Sequence, residues 1–116
     1  MNAANPGELY LLLDRDGALI VFQESGSSWA GVLGFTSEEK AREFLAASHL
    51  DAAEIAAIDR GDPASVAGLV AGVKPRAVRY LLLDLDYRTG RCIQIEFEGD
   101  RLGFERERQL TPRPAH

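Results

Sequence analysis

Two short acidic motifs hold the side chains best suited to chemistry. Asp14 and Asp16 close the segment YLLLDRD at 10–16, and Asp84 and Asp86 close YLLLDLD at 80–86. Carboxylates two positions apart on a strand point to the same side. At the mouth of a sheet such a pair offers hard oxygens to Mg²⁺, or divides the roles of nucleophile and general acid. The structural alternative is the expected one: aspartate ends strands and opens turns by accepting hydrogen bonds from nearby backbone amides. Cys92 falls in a strand pattern with no base beside it and is expected to be a buried, inert thiol. His49, at a helix end, caps carbonyls or faces water. No Ser-His-Asp order, Walker loop or Gly-x-Gly-x-x-Gly occurs. The chain is therefore expected to have no catalytic, cofactor-binding or metal-binding residues and not to be an enzyme.

Composition narrows the class further. With 116 residues, 46% hydrophobic and 27% charged, the chain suits one globular domain and neither disorder nor a fibrous class. Its apolar runs are too short to span a bilayer, and MNAANPGE lacks the regions of a signal peptide, so the expected location is cytoplasmic. One cysteine excludes an internal disulfide, and two histidines are too few for a structural zinc site. Residues 1–62 carry eleven acids and four bases, residues 63–116 seven acids and nine bases. An acidic protein without a basic stripe has no electrostatic route to nucleic acid, and neither DNA, RNA nor membrane is an expected partner.

Several elements must position these residues. LYLLL at 9–13 is apolar on both alternating faces, as is VRYLLLDL at 78–85, and only interior strands bury both faces. Asp16-Gly17 predicts a hairpin into ALIVF at 18–22. ESGSSWAG at 24–31 reads as a loop, and Val32 to Phe35 as a short strand. Thr36 with Glu39 fits a capping box for a helix over 37–48 that packs the stripe Ala41, Phe44, Leu45 and Ser48 inward, with Glu38 and Arg42 as a surface pair. Glu54 to Ile58 reads as a short strand. Asp62-Pro63 starts a second helix with Val66, Leu69, Val70 and Val73 inward. CIQIEF alternates, with Ile93, Ile95 and Phe97 inward and Gln94, Glu96 and Glu98 wet, and RLGFE returns with Leu102 and Phe104 inward. The recurrence of YLLLD fits either two central strands facing one packing problem or a duplicated half-domain. TPRPAH, 111–116, is expected to be a disordered tail after a domain spanning 1–110.

Two resemblances attach to these motifs. LLLDRDGALI resembles the first motif of the haloacid dehalogenase-type phosphatases. That resemblance implies Asp14 as nucleophile and Asp16 as acid/base in a metal-dependent phosphate-handling enzyme. The sequence departs from it at Ala18, where the pattern has threonine, and is too short for the family's doubly wound domain. Phe35, Thr36, Ser37, Glu38 and Glu39, with Ala41 and Phe44, resemble the N-terminal domain of SseB-type bacterial proteins over residues 9–86. Asp84-Leu85-Asp86 stands where that family has Asn-Pro. This second resemblance implies a non-catalytic regulatory or interaction role and brings no site residues.

The expected fold is a single α+β domain, a mostly antiparallel sheet of five to seven strands with two helices on one face. The expected function is a small binding or regulatory module acting through protein–protein contacts, with a homodimer as one form. Trp29, with Ser27 and Ser28 in the polar loop that runs from Ser25 to Gly31, is the first place to look for such a contact, the alternative being that its ring folds back as a lid over the core; Tyr87 is the other aromatic left without a role.

Overall fold

The computed structural model describes residues 7–23, 30–50, 54–76 and 78–110. Trp29, Ser27 and Ser28 lie outside the described residues, as does the tail 111–116. The two YLLL segments form β1 (Glu8–Leu13) and β5 (Tyr80–Leu83). They flank β3 (Ala30–Phe35) inside a seven-stranded sheet. Both are interior strands, and Leu12 and Leu82 are fully buried. The remaining strands are β2 (Val21–Gln23), β4 (Glu54–Asp59), β6 (Arg91–Glu98) and β7 (Arg101–Gln109). The sheet runs β4-β1-β3-β5-β6-β7, with β2 also on β3. Among the described residues, only β3 and β5 pair in parallel. The two echoes therefore run in opposite directions, one on each side of β3. The expected α+β class with a mostly antiparallel sheet is what forms.

The helices do not share a face. From α2 (Pro63–Val73), Leu69 and Val73 join Leu9, Leu11, Val32, Leu81, Leu83 and Ile95 in one cluster. From α1 (Glu38–Ser48), Ala41 and Phe44 join Leu12, Leu33, Phe35, Leu82 and Cys92 in the other. The reason lies in the strands themselves. β1, β3 and β5 present large apolar side chains on both faces, so each face needs its own cover.

Both helices begin with a capped turn. The Ser37 hydroxyl, not that of Thr36, accepts from the Lys40 amide at 3.1 Å, and Glu38 and Glu39 complement the helix N-terminus. Asp62 accepts from the Ala64 amide, with Pro63 in the first turn, and the four predicted valine and leucine positions are buried. Arg42 donates to Glu38 at 3.1 Å. His49 closes α1 in the left-handed region, its N–H donating to the Leu45 carbonyl. No described helix is long and apolar enough to cross a membrane.

Three strand expectations need correction. Beyond the turn at Asp14–Gly17, the hairpin keeps only the Leu13–Leu19 bridge, and β2 pairs with β3 instead. Both edges of β1 are already taken, by β4 and by the end of β3, so β2 continues the line of β1 along β3. In β6, Cys92 and Gln94 are buried, because that half of the expected wet face lies in the α1 cluster. In β7, Phe104 is 73% exposed. The register shifts between Ile95, opposite Glu105, and Phe97, opposite Leu102, so β7 carries one extra residue there. That bulge turns Phe104 away from the face that holds Leu102.

Two glycines on β3 let the sheet accept its leucines. A Cβ at Gly31 would lie 2.7 Å from Leu82 Cγ. One at Gly34 would meet Leu81 and Leu9 on the other face, at 2.8 and 2.9 Å. The central strand is thus notched on both sides for the side chains of β1 and β5.

Candidate functional site

The second acidic motif is not a continuous strand. β5 ends at Leu83, and Asp84 adopts the left-handed region with φ 55°. This kink breaks the alternation, so that Leu82 and Leu85, three positions apart, both enter the cluster under α1. The Asp84 carboxylate is held by the start of α1. It accepts from the Thr36 amide at 2.8 Å, the Thr36 hydroxyl at 2.9 Å and Lys40 Nζ at 3.3 Å. Its own N–H donates to the Gly34 carbonyl at 2.9 Å. Asp84 therefore ties the end of β5 to the β3–α1 junction. Thr36 is drawn to this contact, which leaves Ser37 as the helix cap.

Asp86 closes the following turn. Its Oδ1 accepts from the amides of Arg88 at 2.9 Å and Thr89 at 3.3 Å. Asp14 does the same at the other motif, accepting from the amides of Asp16 at 2.8 Å and Ala18 at 3.0 Å. Because β1 and β5 run in opposite directions, the two Asp-x-Asp pairs stand at opposite ends of the sheet. Among the described residues, no three His, Cys, Asp or Glu side chains converge as a metal site would require. Asp14→Asn keeps the oxygen that caps the turn, and the unfolding free energy should change by less than about 0.5 kcal/mol, whereas Asp14→Ala should cost about 1 kcal/mol. Equal losses in urea unfolding would show that the carboxylate has some other role. Nor should the protein with Mg²⁺ hydrolyse a generic phosphomonoester above background. Turnover abolished by Asp14→Asn would put phosphate chemistry first.

Between α1 and the β5–β6 turn lies a cleft of about 610 Å³. Its floor is a row of aromatic rings that runs from core to surface. Phe35 and Phe44 lie 5.5 Å apart, and Tyr87, a residue 45% exposed, meets Phe44 edge-on at 5.8 Å. Lys40, Glu43, Asp86 and Arg88 supply charges of both signs around that floor. A second cleft of about 550 Å³ shares Asp84 and Asp86 and is lined by Cys92 and Arg108.

The chain matches no family model and no curated protein.

Of the sequence-predicted residues, Asp84 and Asp86 line this cleft, while Asp14 and Asp16 lie elsewhere. Tyr87 takes the exposed position its turn context allows. Missing from the sequence reading were the tether between Thr36 and Asp84, 48 positions apart, and the use of Phe35 and Phe44 as a cleft floor as well as core. No local pattern carries either one.

Cys92 is buried, and burial pushes its thiol up from 9.0 to about 11, with the Arg108 guanidinium pulling the other way. At neutral pH it is a protonated thiol and a poor nucleophile. Between pH 9 and 11 the native chain retains a proton that the unfolded chain has lost, so stability must fall as pH rises through that window. Wild type should lose stability more steeply than Cys92→Ala from pH 9 to 11 in urea unfolding. Parallel curves would contradict a thiol held neutral by the fold.

Proposed function

We propose that this protein is a small non-catalytic binding module that acts through protein–protein contacts, with the cleft between α1 and the β5–β6 turn as its contact surface. The observation that carries this reading is the aromatic row Phe35–Phe44–Tyr87, which brings a ring from the core out to water at the mouth of a cleft rimmed by both signs of charge. An apolar floor with a polar rim is the form of a protein contact site, and an exposed tyrosine anchored on a buried ring is a typical centre of binding energy. The aspartates support the same reading, because Asp14, Asp84 and Asp86 are engaged by backbone amides or by Lys40. The SseB-type resemblance at Phe35–Glu39, whose inner residues Ala41 and Phe44 are buried here, is in keeping with a regulatory or interaction role.

Peptides selected from a displayed library on the immobilised protein should carry an apolar anchor residue. Tyr87→Ala should weaken the best of them by about tenfold or more, the loss expected when a contact of 1.4 kcal/mol or more is removed. Affinity unchanged in Tyr87→Ala, with the fold intact by circular dichroism, would remove the cleft as the contact surface.

A further inference from the structure

The sheet ends in two edges of opposite character. In β7 the Leu110 amide donates to the Gly90 carbonyl. The backbone groups of even-numbered residues there face β6, and those of Glu105, Glu107 and Gln109 point outward. Glu105 and Glu107 pair with Ile95 and Ile93 on the α2 face, while Arg106 and Arg108 pair with Gln94 and Cys92 on the other. A second copy that continued the sheet antiparallel about a two-fold axis would pair residues of equal parity. In the registers centred on Glu105, Arg106 or Glu107, glutamate would then sit beside glutamate, and arginine beside arginine or Phe104. With its bulge as well, β7 is an edge protected against a copy of itself.

β4 has none of these protections. Its sequence is EIAAID, without lysine, arginine, proline or a register shift. The Arg60 amide donates to the Gly7 carbonyl, so even-numbered residues face β1 and the backbone groups of Ile55, Ala57 and Asp59 point outward. Among the described residues nothing pairs with that edge. About a two-fold axis through Ala57, Ala56 would lie opposite the second copy's Ile58, and Glu54 opposite its Arg60. Opposite charges therefore meet at both ends of the ladder. Arg60 already bonds Glu105 at 3.0 Å, and its five N–H donors leave capacity for a second carboxylate. Asp59 is turned to its own Gly61 amide at 2.8 Å, so it is not a free charge beside Ile55.

We infer that the protein assembles as a two-fold dimer by antiparallel pairing of the β4 edges, with Ala57 on the axis, which joins two sheets into one. This inference goes beyond the cleft reading and uses none of the cleft's residues, so either can fail without the other.

Sedimentation of the full chain across the micromolar range, with three variants, tests it. Wild type should sediment as a dimer. Ala57→Lys places two cations on the axis at an exposed position and should raise the dissociation constant by about tenfold or more without altering the far-ultraviolet spectrum. Ala57→Cys should form an intermolecular disulfide with oxidised glutathione, since a hydrogen-bonded antiparallel pair holds its Cα atoms about 5.5 Å apart, within disulfide range. Glu107→Cys on β7 should not. If Ala57→Lys fails to fold, the cysteine pair decides. A wild type that is monomeric at every concentration, a dimer that persists in folded Ala57→Lys, or cross-linking at Glu107→Cys in place of Ala57→Cys would each overturn the inference.

Discussion

Leu82→Ala should destabilise the protein by about 2 to 5 kcal/mol, the range for removing a fully buried leucine from a core that cannot collapse around the gap. Leu82 has no exposed surface and sits at the middle of the sheet, with its side chain seated in the notch left by Gly31. That seat makes a sharper prediction. Gly31→Ala alone forces a methyl against Leu82 Cγ and should cost about 1 to 3 kcal/mol by overpacking. In the Leu82→Ala background the same methyl enters vacated space. The double variant should then be more stable than the sum of the single losses by about 1 kcal/mol or more. Urea unfolding of the four proteins gives the cycle. Strict additivity would mean that the two residues do not interlock.

Gly90→Ala should be as damaging for a different reason. Gly90 has φ 80°, which a residue with a side chain adopts at a cost of about 1 to 2 kcal/mol. Its added Cβ would also fall on the carbonyl oxygen of Leu110, a backbone atom that cannot swing aside. The expected loss is about 3 kcal/mol or more. Gly17 supplies the control, because it has the same φ and open space around it, so Gly17→Ala should show the backbone cost alone. The damage at Gly90 should also reach the cleft. Its amide donates to the Asp86 carbonyl at 2.7 Å, closing the turn that carries Tyr87. Thermal unfolding of the two variants separates strain from collision, and equal losses would contradict the close approach to Leu110.

The fold was legible where a local pattern had one physical solution. Two apolar faces on YLLL admit only interior strands, and Asp62-Pro63 followed by valines and leucines at helical spacing admits only one buried stripe. The same double-faced pattern, taken further, already called for a helix on each side of the sheet; placing both on one face would have left Leu9, Leu11 and Leu81 or Leu12 and Leu82 bare. What was not legible depends on contacts between distant segments. Thr36 and Ser37 are both good caps, and Ser37 takes the role because Asp84 claims Thr36. The exposure of Phe104 follows from one extra residue in β7. Its marker in the sequence is Gly103, where a side chain would collide with Glu98 and the Glu96 carbonyl. At the site, the turn-closing role of Asp86 could be read locally. The structural role of Asp84 could not, since it rests on a bond 48 positions away.

The most direct measurement of the binding reading is an amide shift map of the uniformly labelled protein titrated with a selected peptide. The largest changes should fall on Lys40 to Ala47 of α1 and on Leu85 to Arg88 of the β5–β6 turn, and Tyr87→Ala should remove them. Changes centred instead on the Asp14–Ala18 turn, or spread along β7 with the Phe44 and Tyr87 amides unmoved, would contradict it.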